Sequence, residues 1–221
     1  IDVMFVGEAE HSAMVKAARR VLDHARRCFR VDANLRPEGR DGPLARSVAS
    51  YEAYWDKWAQ PWEFQALLKA RPVAGDAELG AAYHAAATAR LWSRHFSADD
   101  LRAERAMKER AESEVAKKGL SEREVKRGRG GIREVEFYAQ THQLIHGGRH
   151  PALRQRGVRA ALDALAGAGI IDPGDAHVLG ESYDRLRTLE HRLQMVLDQQ
   201  THALPADTAA LDNVARLDGL A

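Results

Sequence analysis

Two short stretches near the start of the chain each carry one carboxylate among residues that alternate in polarity. Residues 1–6 contain Asp2 and residues 29–36 contain Asp32. As strands, both stretches would bury one face and direct the carboxylates to the other. In the second stretch the buried residues would be Phe29, Val31, Ala33 and Leu35. Two adjacent strands would then bring two carboxylates to one edge, as divalent cations require for phosphoryl or nucleotidyl transfer. The alternative is an ordinary half-buried strand with one face in water.

A glycine-rich basic loop at residues 126–131 precedes a predicted helix. Free backbone N–H groups at such a helix start can hold an anion. The loop lacks the Gly-Lys-Ser/Thr ending of a P-loop, so a linker that merely starts a helix is the alternative. Beyond it lies a polar stripe at helical spacing, which either a solvated helix face or an active-site wall explains. The stripe contains Arg133, Glu136, Gln140 and Gln143.

The other motifs associated with catalysis or metal binding do not indicate a site. His142 and His146 have a spacing that can bind zinc, but no glutamate follows the first histidine and no third ligand is evident, so we reject a zinc site. Nothing resembles a serine nucleophile elbow or a dinucleotide-binding glycine motif. We expect His191 and His202 to lie on helix surfaces or to cap helices rather than to act as catalytic bases.

The composition excludes several classes of protein. The 221 residues include 33 Lys and Arg against 32 Asp and Glu, a net charge of +1, so no global basic field favours nucleic acid. The single cysteine cannot form an internal disulfide, and no apolar run is long enough to span a membrane. We therefore expect a soluble, cytoplasmic protein that uses neither nucleic acid nor a membrane. Because the chain starts at Ile1 inside a strand-like run, we also expect a piece of a longer protein.

The elements that must position these residues change in type along the chain. Strand and helix signals mix in residues 1–96, whereas residues 97–221 show almost only helical periodicity. The predicted class is therefore α+β, with a mixed unit followed by a helical bundle. Pro61 fits the first turn of one helix, while Ser50 and Asp172 are expected helix caps. The predicted helices are 10–27, 50–59, 62–70, 76–91, 98–118, 131–146, 158–166 and 174–198, with one more after Pro205; residues 71–75 would add a short strand.

Several segments, taken in order, resemble one enzyme family. Each motif is modest, but their series covers nearly the whole chain and is similar to the bacterial bifunctional glutamine synthetase adenylyltransferase/adenylyl-removing enzyme. The segments are Phe29 to Asp32, Leu35 to Arg40, Trp62 to Arg71, Gly130 to Phe137, Glu190 to Gln194 and Gln200 to Pro205.

The resemblance implies a fold and a metal site. It predicts a partial polymerase-β-like nucleotidyltransferase palm in 1–96 and an all-α helical bundle in 97–221. It implies Mg²⁺ chemistry at three acids, of which Asp2 matches the second and Asp32 the third. Both would be catalytic and metal-binding. The first acid would immediately precede Ile1, so we expect the chain by itself to be inactive or nearly so.

The resemblance also implies a reaction and partners. The motifs in the second half of the chain look like the amino-terminal half of the family, which removes AMP from a tyrosine of glutamine synthetase with orthophosphate and releases ADP. The other half transfers AMP from ATP. Arg36, Lys69 and Arg71 would bind the nucleotide or phosphate, with Glu136 orienting such a cation. The partners would be glutamine synthetase, ATP, ADP, orthophosphate and the PII signalling protein.

Three alternatives remain open. The chain could belong to the ATP-dependent adenylyltransferase half, it could be a relative of the PII uridylyltransferase, which has a similar helical region, or it could be a non-catalytic helical module that binds a protein. The segments Leu35 to Arg40 and Trp62 to Arg71 argue against the uridylyltransferase.

Overall fold

The computed structural model of the chain describes residues 1–217 and residue 219. Contacts divide the chain into two compact units, a first unit at Ile1–His95 and a second unit at Phe96–Ala221. The described residues are mostly helical, with two short strands that both lie in the first unit. None of the helices in this part of the chain is both long and apolar enough to cross a membrane.

The first unit mixes strands and helices. Its elements are β1 (Phe5–Val6), α1 (His11–Ala25), β2 (Ala45–Arg46), α2 (Val48–Lys57), α3 (Pro61–Leu67) and α4 (Ala77–Ser93). β1 pairs in parallel with β2, with Phe5 opposite Ala45. One further parallel bridge joins Asp2 to Asp32. The sheet is thus small, and helices cover it.

Two apolar groups hold this sheet. Leu22 of α1 packs with Val31 and Ala33 of the bridged segment, which gives the helix its place beside the strands. A second group is aromatic: the ring centroids of Tyr51 and Tyr83 lie 5.0 Å apart, edge to face. The Tyr51 hydroxyl donates to the carbonyl of Phe5 at 3.2 Å, so α2 is fastened to β1.

The predicted strand at residues 29–36 is largely wrong in extent. Val31 and Ala33 are buried as expected, but Phe29 is 59% exposed and Leu35 is 37% exposed. Alternation controls burial only where a strand is paired, and here pairing is a single bridge at Asp32. Phe29 follows the turn that ends α1, and Leu35 lies in the next turn.

Two local predictions in the first unit are also wrong. Residues 71–75 do not form a strand; the chain runs irregularly there and bends at residues 74 and 75. Ser47, not Ser50, caps α2, since its Oγ accepts from the backbone N–H of Ser50 at 3.2 Å. Pro61 does occupy the first turn of α3, as expected.

The second unit is helical, and its helices match the predicted ranges within a few residues. They are α5 (Ala98–Lys117), α6 (Ile132–His146), α7 (Val158–Gly167), α8 (Pro173–Leu197) and α9 (Thr208–Leu217), with a 3-10 turn at Pro151–Leu153. Asp172 caps α8 through the N–H groups of Gly174 and Asp175, which confirms that prediction. Packing among α6, α7 and α8 buries Leu153, Leu162 and Leu165 completely.

Candidate functional site

The two predicted carboxylates lie on neighbouring backbone segments. The N–H of Val3 donates to the carbonyl of Asp32 at 2.8 Å, and the N–H of Asp32 donates to the carbonyl of Ile1 at 2.8 Å. This is the hydrogen-bond pattern of a parallel bridge between Asp2 and Asp32. Paired residues in a ladder project from the same face. The first unit therefore presents two carboxylates side by side.

The surroundings of the pair leave oxygen atoms available. Asp2 is exposed and Asp32 is half-buried. One oxygen of Asp32, Oδ1, accepts from the backbone N–H of Asn34 at 2.8 Å, which fixes the orientation of that carboxylate. No group of three His, Cys, Asp or Glu side chains placed to hold a metal occurs among the described residues. The pair suits Mg²⁺, which commonly uses one or two carboxylates together with substrate phosphates and water.

The loop after Asp32 is held rigidly by Arg36. Its Nη1 donates to the carbonyl of Ala33 at 2.7 Å, its Nε to that of Gly42 at 3.2 Å and its Nη2 to that of Arg40 at 3.3 Å. A guanidinium has five N–H donors, so two remain for another ligand. The predicted phosphate-binding role of Arg36 stays a prediction, and the structure gives this side chain a second task, closing the loop.

A chain of polar contacts ties the same loop to α2 and α3. Glu38, in the left-handed region at φ 62°, forms an ion pair with Arg46 of β2. The Arg46 guanidinium lies 5.7 Å from the ring centroid of Tyr54. The Tyr54 hydroxyl in turn donates to Glu63 at 2.9 Å, and burial raises the pKa of Glu63. Residue spacing gives no sign of the contacts that Arg46 and Glu63 make.

The other predicted site residues lie elsewhere. Lys69 and Arg71 follow the end of α3 and are exposed, in the same unit as the carboxylate pair. Glu136 lies on α6 in the second unit and is half-buried. Its carboxylate is close enough to favour the charged form of Arg133. The structure thus places Asp2 and Asp32 on neighbouring backbone segments, and the catalytic or binding roles of all these residues stay predictions.

Seven backbone N–H groups of the glycine-rich loop and the start of α6, those of residues 126–128 and 130–133, already have acceptors within the second unit, which favours the linker alternative over an anion-binding loop. Glu124 Oε1 accepts from the N–H groups of Lys126 and Arg127, each at 3.0 Å. The N–H groups of residues 131, 132 and 133 donate to loop carbonyls, and that of Gly130 donates to the Glu134 side chain. The glycines serve close packing instead, because a Cβ at Gly131 would meet three backbone oxygens at 2.8 to 2.9 Å.

A buried glutamate joins this loop to α8 and to the segment before α9. Glu190 is 2% exposed, and its Oε1 lies 3.2 Å from Lys126 Nζ and 2.9 Å from His202 Nδ1. Its Oε2 pairs with Arg187. His202 is therefore not a simple surface residue. Burial lowers its pKa, and Lys126 adds to this effect while Glu190 opposes it.

Sequence reasoning missed the role of Glu190. The Arg187–Glu190 spacing is a helical i,i+3 pair that the sequence does display. The contacts with Lys126 and His202 come from distant segments, so spacing carries no signal for them. On the polar stripe of α6, Gln143 is buried and donates to the carbonyls of Leu153 and Gln155, both at 2.7 Å. That part of the stripe is structural.

Comparison with known proteins relates both units to nucleotidyltransferases. Residues 14–86 match the family model described as glutamate-ammonia ligase adenylyltransferase, and residues 102–221 match the one described as GlnD PII-uridylyltransferase. The second match agrees with the expected likeness between the helical regions of the two enzymes.

Curated relatives align with the chain as a whole and carry one name, bifunctional glutamine synthetase adenylyltransferase/adenylyl-removing enzyme. The protein of Streptomyces avermitilis is 43% identical over 100% of this chain and 23% of its own length. That of Cutibacterium acnes is 42% identical over 100% of this chain and 24% of its own length. That of Mycobacterium leprae is 44% identical over 94% of this chain and 21% of its own length.

The chain thus spans less than a quarter of the length of these relatives. Because the similarity runs through both units, the chain belongs to the family of bifunctional glutamine synthetase adenylyltransferase/adenylyl-removing enzymes, of which it represents a segment.

Proposed function

We propose that this segment forms part of a Mg²⁺-dependent nucleotidyltransferase that removes AMP from adenylylated glutamine synthetase by phosphorolysis. The observation that carries the proposal is the parallel bridge between Asp2 and Asp32, which sets two carboxylates on one face. The family name of the relatives supports the protein substrate and the adenylyl group. The first unit is then the partial palm and the second unit the helical bundle.

In this reaction the chain's own residues bind and orient. Asp2 and Asp32 would hold the metal ion, which neutralises charge on the phosphoryl group as it is transferred. An oxygen of orthophosphate attacks the phosphorus of the tyrosine-linked AMP, and the bond from that phosphorus to the tyrosine oxygen breaks. The products are ADP and tyrosine, whose released phenolate oxygen takes up the proton that orthophosphate gives up.

The cationic residues have distinct tasks in the proposal. The two remaining N–H donors of Arg36 would bind phosphate oxygens, and the loop contacts would keep that guanidinium fixed. Lys69 and Arg71 would supply further positive charge. Glu136 would orient a cation within the second unit, where its charge already favours the charged form of Arg133.

The family model that matches the second unit suggests a role in binding another protein. Residues 102–221 match a model named for a PII-uridylyltransferase, an enzyme that by its name acts on PII. We propose that this helical unit contacts glutamine synthetase or the PII protein. A non-catalytic helical module is the competing function, and it predicts no dependence of activity on the carboxylate pair.

The test is a segment exchange with a full-length relative. This chain replaces the matching segment of the Streptomyces avermitilis enzyme, and Asp32→Asn is then introduced. One assay supplies adenylylated glutamine synthetase with phosphate and measures ADP; the other supplies unmodified synthetase with ATP and measures bound AMP. Asp32→Asn should abolish ADP release and leave AMP incorporation unchanged.

The matched control is Asp41→Asn, which removes an exposed carboxylate in the same unit and should change neither assay. Loss of AMP incorporation with ADP release retained would assign the segment to the ATP-dependent half. If Asp32→Asn changes neither reaction, the carboxylate pair is not catalytic and the binding-module function gains.

A further inference from the structure

Cationic side chains gather within the second unit. They come from the glycine-rich loop, from the start of α6 and from α8. We call this set the basic face; it consists of Lys126, Arg127, Arg133 and Arg187, with His202 from the segment before α9 beside them. Nothing in the proposed transfer of AMP uses it.

Two buried glutamates neutralise most of the positive charge of the basic face. Glu124 pairs with Arg127 at 3.0 Å, and Glu190 pairs with Lys126 and Arg187. Both glutamates are at most 5% exposed. Such contacts hold the loop and α8 in one arrangement, so that the remaining cation of the face has a fixed position.

That remaining cation is Arg133. Its guanidinium lies 5.2 Å from the ring centroid of Phe137, and the residue is half-buried. In the part of the chain that the structure describes, no hydrogen bond or ion pair is made by this guanidinium. Stacking on an aromatic ring occupies the face of a guanidinium and leaves its N–H edge for a ligand.

The electrostatics of the site disfavour the bare cation. Burial lowers the pKa of Arg133, and the charge of Arg127 lowers it further, with Glu136 opposing. The Arg133 guanidinium is therefore partly desolvated and lies within the field of a second cation. An anion bound to the N–H edge of Arg133 would offset both effects and satisfy its donors.

We propose that the second unit binds a phosphate group, as inorganic phosphate or a phosphate monoester, through Arg133 with Arg127 beside it. The backbone N–H groups of residues 126–128 and 130–133 already have acceptors within the unit, so the proposed site uses side chains. This arrangement differs from a P-loop, where the backbone cradles the phosphate.

The test measures phosphate binding to the whole chain by isothermal titration in the presence of EDTA. Without divalent cations, and in an Asp32→Asn background, the proposed metal site of the first unit cannot contribute. Arg133→Gln should weaken phosphate binding by at least about tenfold, since it removes a charge-assisted fork. Arg149→Gln removes an exposed positive charge from the same unit and should leave the affinity unchanged.

A second measurement follows the pKa of His202, which lies beside the basic face. His202 faces Lys126, Arg127, Glu124 and Glu190, and its pKa responds to their charges. In an NMR titration, saturating phosphate should raise the pKa of His202 in the parent chain and not in Arg133→Gln. Equal phosphate affinity in Arg133→Gln and Arg149→Gln, or no binding with EDTA present, would overturn the proposal while leaving the assignment of the carboxylate pair intact.

Discussion

At the level of single residues, the second unit buries three glutamates in different ways. Glu190 has two cationic neighbours and the imidazole of His202, and Glu124 accepts from two backbone N–H groups and from Arg127. Glu104 is also only 3% exposed, but its described partner is the hydroxyl of Thr141 at 3.3 Å. Burial raises the pKa of Glu104 to about 7. Substituting each glutamate, or changing the pH, must therefore change the free energy of folding in a different way.

Glu104→Gln should remove a pH dependence of stability. The folded-state pKa is raised from 4.5 to about 7, so the folded chain holds a proton that the unfolded chain loses between those values. Stability therefore falls as pH rises through this window. The glutamine keeps the contact with Thr141 and carries no charge, so the variant should gain roughly 3 kcal/mol at pH 8 and almost nothing at pH 4.5.

Urea unfolding followed by circular dichroism at several pH values measures this difference. A constant offset between Glu104→Gln and the parent chain across pH 4.5 to 8 would contradict the raised pKa. The sign distinguishes this glutamate from Glu124, whose hydrogen bonds lower its pKa and make its charge stabilising.

Glu190→Gln should destabilise the chain by about 3 kcal/mol at pH 7, because it leaves Lys126 and Arg187 without their buried counter-charge. The matched change on the same helix is Glu181→Gln. Glu181 is 62% exposed and lies 3.4 Å from Arg159, so its loss should cost less than about 1 kcal/mol. Thermal unfolding of the two variants compares their stabilities directly. Equal losses of stability would show that the buried ion pairs of Glu190 do not stabilise the chain more than the exposed pair of Glu181 does.

At the level of elements, the sequence predicted helices more closely than strands: β1 lies within the strand predicted at residues 1–6, but the strand predicted at 29–36 is reduced to one bridge. The helix bounds were close because periodicity and capping are local: Asp172 and Pro173 mark the start of α8 in the sequence itself. The predicted strand at 29–36 was too long because the burial of its side chains depends on how many of its residues pair with a neighbouring segment. Such pairing is a non-local property that alternation in one segment does not encode.

The glycine-rich loop gives a prediction at the same scale. Gly131 and Gly157 both precede helices with φ near −80°, but a Cβ at Gly131 would meet backbone oxygens at 2.8 to 2.9 Å, whereas nothing lies within 4 Å at Gly157. Gly131→Ala should therefore cost about 2 kcal/mol by forcing the loop apart. Gly157→Ala should cost roughly 0.5 kcal/mol or less.

Denaturant midpoints of the two alanine variants provide the measurement. If both variants unfold at the same denaturant concentration, the loop can rearrange around a Cβ at position 131, and close packing does not require the glycine there. The comparison is clean because neither glycine has a side chain capping its helix and both have negative φ.

At the level of the whole molecule, the candidate site was partly predictable. Alternating polarity predicted that Asp2 and Asp32 share a face, and the bridge brings their backbones together. The engagement of Arg36 by its own loop was not predictable, since it depends on the carbonyl directions of a tight turn. Clusters such as that of Glu190 join segments far apart in the chain, and only the folded arrangement reveals them.

Metal binding at the carboxylate pair should appear as stabilisation of the whole first unit. All four tryptophans of the chain lie in that unit, and Trp55 is buried against Tyr51 and Tyr83, so tryptophan fluorescence reports its unfolding. A ligand that binds only the folded state stabilises it by about 2.7 kcal/mol at one hundred times its dissociation constant. Increasing Mg²⁺ should therefore raise the urea midpoint progressively.

The same titration on variants decides whether the pair is responsible. Asp2→Asn should make the fluorescence midpoint independent of Mg²⁺ at matched ionic strength, because the remaining carboxylate is a poor site alone. Asp41→Asn should behave as the parent chain. A Mg²⁺ response that survives in Asp2→Asn would place the cation elsewhere, and the absence of any response in the parent chain would remove the physical basis for assigning catalysis to the Asp2–Asp32 bridge.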